Sequence, residues 1–333
     1  MPSDLSSIII LVPGPLHKRS VARIDENFRL VRIDRCDPAL LSDEMKRNIR
    51  GVAASPALGG NFVGPAFLDA LPNLEIVANF GVGYDGVDAR HAGKTDVMVT
   101  NTPDVLTEEV ADTTIGLLLN TVRELSKSET YLRKGRWVAD GAYPLTASLR
   151  GRRAGIFGMG RIGLAVARRL EAFGLPVAYH NRRQVEGLDY EYHPTLESLA
   201  AAVDVLISVA PGTPATEKIT NAKVFEALGP NGIFINIGRG STVDEAALIK
   251  ALKDGAILAA GLDVFANEPD VPQELIALPN ATLLPHVGSA SVATREAMAD
   301  LVVDNLISWF AKGSALTPVP ETEHVGKSDA AEI

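Results

Sequence analysis

The chain has 333 residues, 46% hydrophobic and 22% charged, with a net charge of −9 and a single cysteine, Cys36. That length is long for one core and comfortable for two domains, and the composition excludes bulk disorder. One cysteine leaves no disulfide framework and no Cys-rich zinc site, and the negative charge disfavours nucleic acid and anionic membranes as partners.

The first apolar run, Ile8 to Val12, follows Asp4 rather than a basic region and is too short for a signal peptide. No stretch reaches the roughly 20 apolar residues of a membrane span. A cytoplasmic protein with no membrane partner and no metal is expected. Short β-rich runs then alternate with helical patterns, the signature of an α/β fold with parallel sheets. Strands are expected at Ser7 to Val12, Leu30 to Ile33, Val52 to Ser55, Leu74 to Phe80 and Val97 to Thr100. Glu108 to Lys134 reads as one long helix, with acidic residues in its first turn, basic ones in its last and Gly135 as the stop. Its apolar middle, Ile115 to Leu119, implies burial on nearly all sides.

After a linker-like stretch from Gly135 to Leu149, the strand Arg153 to Phe157 leads into Gly158-Met159-Gly160-Arg161-Ile162-Gly163 and then a helix to Ala172. Further strands are expected at Val177 to His180, Val203 to Val209, Gly232 to Ile237, Ile257 to Asp263 and Thr282 to Leu284. Helices are expected at Thr195 to Ala202, Ala222 to Leu228, Asp244 to Lys253 and Val292 to Phe310.

A GxGxxG alone is weak, but here it stands between a strand and a helix, the context a dinucleotide site requires. Gly158 permits the tight turn, Gly160 the approach of a pyrophosphate and Gly163 close helix–strand packing. The helix from Arg161 aims its free N–H groups at the phosphates. An NAD site places Asp or Glu about 20 residues on, at the ribose 2′-hydroxyl. Here that place reads His180-Asn181-Arg182-Arg183-Gln184. Two guanidiniums and no carboxylate suit a 2′-phosphate, so NADP(H) is expected over NAD(H).

Arg239, Glu268 and His286 each follow one of three consecutive expected strands. In a parallel sheet they gather at the carboxyl edge, where open α/β sheets bind ligands. The types suit carbonyl reduction: Arg for a carboxylate, His as proton donor, and a carboxylate to keep the imidazole protonated. Taken singly, each has a plain structural alternative. Arg239 could cap a helix and His180 could touch the cofactor or only its neighbours.

The sequence resembles the D-isomer-specific 2-hydroxyacid dehydrogenases, nearest their glyoxylate/hydroxypyruvate reductases, from about Val52 to Phe310. Beyond the glycine loop, the resemblance rests on Asn79-Phe80-Gly81-Val82-Gly83-Tyr84-Asp85, Asn236-Ile237-Gly238-Arg239-Gly240, Gly261-Leu262-Asp263-Val264-Phe265, Asn267-Glu268-Pro269 and Pro285-His286-Val287-Gly288-Ser289. It implies two Rossmann-like or flavodoxin-like parallel-sheet domains with the active site in the cleft between them. Residues 1–101 with 289–320 would form the discontinuous substrate domain and 102–288 the NADP-binding domain. Residues 321–333, polar and short of large apolar groups, read as a disordered tail on composition alone.

The resemblance also implies roles. Arg239 would bind the substrate carboxylate and polarise the keto oxygen, His286 would donate the proton, and Glu268 would hold His286. Backbone N–H groups of Val82 and Gly83 would cradle the carboxylate, with Leu58 walling the side-chain pocket and Ser289 closing the site. Asp263 would orient the nicotinamide amide, while Pro211, Ile237 and Gly288 would line the cofactor. A homodimer is implied, with contacts from the helix 108–134 and the arm 135–149, where Trp137 or Tyr143 reaches the partner or simply packs. The reaction expected is NADPH-dependent reduction of small 2-keto acids such as glyoxylate and hydroxypyruvate. Rival readings are an NAD-dependent dehydrogenase of another substrate, such as 3-phosphoglycerate, and a non-enzymatic dinucleotide-sensing corepressor.

Overall fold

The structure, a computed structural model, describes residues 4–55 and 62–326. The chain divides into two compact units, residues 1–106 with 291–333, and residues 107–290.

The first unit opens with β1 (Ile9–Pro13), α1 (Lys18–Asn27), β2 (Arg29–Ile33), α2 (Asp43–Asn48) and β3 (Ile49–Ala54). It continues through α3 (Pro65–Asp69), β4 (Ile76–Asn79), α4 (Ala89–Lys94) and β5 (Met98–Thr100). The five strands are parallel in the order β2-β1-β3-β4-β5. Strands buried on both faces need continuous apolar runs, and β1, β4 and β5 are buried throughout. The helices α2 to α4 have six residues or fewer and little apolar period. Caps start two of them: Ser42 accepts the Met45 N–H at 3.2 Å and Asp88 the His91 N–H at 2.9 Å.

The second unit begins with α5 (Thr107–Arg123), α6 (Leu125–Arg133) and α7 (Arg136–Asp140). The single helix expected over 108–134 is therefore two, broken where Glu124 takes left-handed φ 52°, ψ 39°. The cause is polar. Asn120 Oδ1 accepts both the N–H (2.9 Å) and the hydroxyl (3.1 Å) of Ser126, offering the chain an alternative to the helical ladder. Glu124 is held in turn by Lys127 at 2.9 Å and Tyr143 at 2.8 Å. The apolar middle of α5 does pack on the sheet, where Gly261 lacks the Cβ that would overlap Thr121 Oγ1.

There follow β6 (Ala154–Phe157), α8 (Arg161–Ala172), β7 (Val177–His180), β8 (Glu191–Tyr192), α9 (Leu196–Ala201) and β9 (Val205–Ser208). Then come α10 (Ala222–Leu228), β10 (Ile233–Asn236), α11 (Glu245–Lys253), β11 (Ala259–Leu262), α12 (Gln273–Ile276) and β12 (Ala281–Leu283). The sheet is parallel throughout, ordered β12-β11-β10-β9-β6-β7-β8. The strand order reverses between β6 and β9, and there the carboxyl edge offers a ligand crevice. Two core clusters form within this unit, one around Phe225, Phe234 and Leu248, the other around Leu118, Ile156 and Tyr179.

The chain returns to the first unit through α13 (Val292–Lys312), capped by Ser291 and ended by Gly313 at φ 77°, and packs on α1 and β4. The polar tail expected to be disordered from 321 is instead docked as far as it is described. Val319 donates its N–H to Val99 O at 2.9 Å, and the Thr322 hydroxyl accepts the Val99 N–H at 3.1 Å. Thr322 is fully buried and Val325 nearly so. Residues 327–333 lie outside the described residues. Among the described residues no helix is long and apolar enough to cross a membrane.

Candidate active site

The carboxyl ends of the second unit's strands carry most of the residues singled out from the sequence. The three glycines after β6 have three different reasons. Gly158 adopts φ +103°, and a Cβ there would come within 2.8 Å of Ala210 N. At Gly163 a Cβ would overlap the Gly158 carbonyl, which joins α8 closely to the loop. At Gly160 a Cβ would meet nothing within 4 Å. α8 has no side-chain cap at its start, so its first N–H groups face that open space. This is the cradle a pyrophosphate requires, and Arg161 and Ile162 form its first turn.

The side chain of Asn181, a cofactor-binding candidate after β7, serves the glycine loop itself. Its Oδ1 accepts the N–H of buried Met159 at 2.6 Å. Arg182 and Arg183 are exposed, and among the described residues neither guanidinium pairs with a carboxylate. His180 is internal: it is 8% exposed, its Nδ1 meets the His193 carbonyl at 2.8 Å, and it stacks on Phe157. Pro211 is exposed after β9, and Ile237 is buried beside Gly288. The donors and the space fit an NADP-type dinucleotide.

Arg239 follows β10 with its backbone fixed, because its carbonyl accepts Asn236 Nδ2 at 3.0 Å and the Thr242 hydroxyl at 2.8 Å. Its guanidinium donates to Gly238 O at 2.8 Å. Glu268 Oε1 accepts the Phe265 N–H at 3.0 Å, and Oε2 lies 2.7 Å from His286 Nδ1. Burial disfavours the Glu268 anion. The His286 hydrogen bond and charge, the Phe265 N–H and the nearby Arg239 outweigh it and hold this carboxyl below the usual glutamate range. With Nδ1 engaged, Nε2 is the ring nitrogen available to a substrate.

His286 takes left-handed φ 53°, a conformation that costs about 1–3 kcal/mol outside glycine. The surrounding bonds explain it. Three consecutive N–H groups turn toward Asp263: His286 to its carbonyl at 2.9 Å, Val287 and Gly288 to its two carboxylate oxygens at 2.7 Å each. Asp263 is 1% exposed, and burial pushes its carboxyl up against the pull of those two amides. From α5, the Thr113 hydroxyl donates to Gly288 O at 3.1 Å. Asp263 thus holds the loop of His286, a role its type and position alone did not reveal. Ser289 follows, half-buried. A cavity of about 330 Å³ flanks the pair, its wall apolar apart from Glu268 and His286.

In the first unit, the loop after β4 has its carbonyls taken. Asn79 Nδ2 donates to Gly81 O at 3.0 Å and Gly83 O at 3.1 Å, and Asn101 Nδ2 to Val82 O at 2.8 Å. The N–H groups of Val82 and Gly83 meet no acceptor among the described residues, which is the pattern of an anion nest. Asn101 and Thr113 were not foreseen as site supports, since neither carries a local motif. Leu58 lies outside the described residues.

Residues 115–288 match the family described as D-isomer specific 2-hydroxyacid dehydrogenase, NAD binding domain. A glyoxylate/hydroxypyruvate reductase A of Arabidopsis thaliana is 43% identical over 316 residues, covering 95% of this chain and all of the relative. A hydroxyphenylpyruvate reductase of Plectranthus scutellarioides is 44% identical over 319 residues, with the same two coverages. Among solved structures, an NADPH-dependent glyoxylate/hydroxypyruvate reductase of Sinorhizobium meliloti, in complex with NADP and malonate, superposes with a TM-score of 0.91 at 60% identity. That match covers 95% of this chain and 98% of the other. The chain belongs to the D-isomer-specific 2-hydroxyacid dehydrogenase family, as its motifs implied. It is an oxidoreductase, a 2-hydroxyacid dehydrogenase.

Proposed function

We propose that this enzyme is an NADPH-dependent reductase of small 2-keto acids, with glyoxylate and hydroxypyruvate as substrates. The observation that carries the reading is the 2.7 Å contact between His286 Nδ1 and Glu268 Oε2, beside Arg239 at one sheet edge. Bound NADPH supplies a hydride to the keto carbon. The protein's own residues do the rest. Arg239 pairs with the substrate carboxylate and polarises the keto oxygen. In the first unit, the N–H groups of Val82 and Gly83 are suited to hold a carboxylate. His286 Nε2 gives its proton to the keto oxygen as negative charge develops there, and Glu268 keeps the ring oriented and its charge balanced. Arg182 and Arg183 take the 2′-phosphate, while Pro211, Ile237 and Gly288 line the cofactor. Asp263 orients the nicotinamide amide as well as holding the His286 loop.

The test is loss of nicotinamide absorbance with glyoxylate or hydroxypyruvate, offered NADPH and NADH in parallel. Fast oxidation of NADPH with little of NADH is expected. Preference for NADH would leave the reductase and remove the cofactor assignment, and NADPH binding without turnover of any 2-keto acid would remove the reductase.

The functional form in this reading is a homodimer. Leu125, Leu132, Trp137, Val138 and Leu145 are all exposed, with Trp137 at 63%, and large apolar side chains exposed along α6, α7 and the arm that follows are of the kind an association surface covers. Sedimentation should give twice the chain mass, and Val138→Asp with Leu145→Asp should give a folded monomer. A wild-type monomer at micromolar concentration would end this assignment.

A further inference from the structure

Glu245 is the first residue of α11, a short way past Arg239, and its carboxylate reaches out of its own helix. Oε1 accepts the N–H of Ala266 at 2.7 Å. Ala266 sits in the loop that carries Glu268, next to Phe265, whose N–H binds Glu268 Oε1. The same loop is pressed onto the Arg239 turn at a second point. Gly240 is buried so tightly against it that a Cβ would overlap the Phe265 carbonyl and approach the Ala266 nitrogen. One pin is steric and the other is a hydrogen bond to an ionised acceptor, the stronger kind.

We infer that Glu245 is a positioning residue for the reduction: by holding the Ala266 N–H it fixes Glu268 against His286 and sets the spacing of that pair from Arg239. The inference rests on the reaction read above, although the contact itself does not depend on it. Reacting groups misplaced by about 1 Å lose about 10²-fold in rate, and the His286–Glu268 contact survives only if the Glu268 loop cannot drift. The groups that face Glu268 are His286 from the loop after β12, Arg239 after β10, Asp263 at the end of β11 and the Phe265 amide.

Three substitutions separate hydrogen bonding from charge. Glu245→Ala removes the acceptor, Glu245→Asp keeps the charge but stops one carbon short, and Glu245→Gln keeps an acceptor oxygen without the charge. Ala and Asp should lower kcat about 10–100-fold with the keto-acid KM little changed, and Gln should retain most of the activity. Asp keeps the helix-start preference for an acid, so it reports even if Ala destabilises the fold.

The second readout is the Glu268 carboxyl titration, followed by ¹³C NMR in the protein without cofactor. In the Ala and Asp variants its midpoint should rise toward the ordinary glutamate value as the Phe265 and His286 contacts loosen. In the Gln variant it should stay low. If Glu245 acted only through its charge, both Ala and Gln would shift the midpoint downward and Asp would leave it unchanged. That pattern overturns the inference, as does an unchanged midpoint in both Ala and Asp. The NMR result stands without turnover, so wild-type inactivity on 2-keto acids would count against the reaction alone.

Discussion

His286→Ala should lower turnover with NADPH and glyoxylate by about 10²–10⁴-fold, the usual worth of a positioned general acid, with NADPH affinity nearly unchanged. The affinity is spared because His286 lies after β12, while the phosphate cradle lies at Gly160 and the start of α8. Alanine also inherits the left-handed backbone, which costs an L-residue about 1–2 kcal/mol, so lost activity could be mistaken for lost structure. His286→Asn removes that ambiguity, because asparagine tolerates the conformation and cannot act as an acid. Both variants should show the same loss in single-turnover NADPH oxidation, with thermal stability better kept in Asn. Activity within a few-fold of wild type in the Asn variant would take His286 out of the proton transfer.

The second large effect concerns the cofactor. Arg182→Ala with Arg183→Ala should weaken NADPH about 10²-fold and NADH hardly at all. A hydrogen bond to a charged group contributes about 1.5–3 kcal/mol, and the exposure of both side chains puts each arginine toward the lower end. The measurement is fluorescence titration of each cofactor at fixed ionic strength, since salt screens such contacts. The discriminating quantity is the ratio of the two changes. Equal weakening would mean that the arginines act on something common to both cofactors.

Much of the sheet architecture was legible because strands buried on both faces must be apolar runs bounded by Gly, Pro or polar turns. Val177–His180 and Ala222–Leu228 emerged with the bounds expected, and most other strands lost one to three residues at their ends. β8 escaped notice: two residues, one acidic, pair only at a sheet edge. The break at Glu124 is not legible because no glycine or proline marks it. It depends on Asn120 reaching Ser126, and on Tyr143 returning to the same carboxylate. The positions of Arg239, Glu268 and His286 could be read from spacing, since parallel strands deliver their ends to one edge. The supports of the site's loops could not. Asp263, Glu245, Asn181 and Asn101 act through contacts with backbone atoms of distant loops, and such contacts leave no pattern along the chain.

The segment after α13 has a bearing on solubility. β5 is an edge strand of its sheet, and an open edge is a template on which a strange strand can assemble. Here the open side is occupied by the chain itself. Thr100 bridges Pro318 in antiparallel fashion, and the N–H and carbonyl of Val99 are both satisfied by Val319 and Thr322. The other edge, β2, carries Arg29 and Arg32 outward, side chains that discourage a flat apolar approach. The sheet therefore protects its two borders by different means: exposed arginines flank one, and a strap of the chain's own sequence takes the backbone groups of the other.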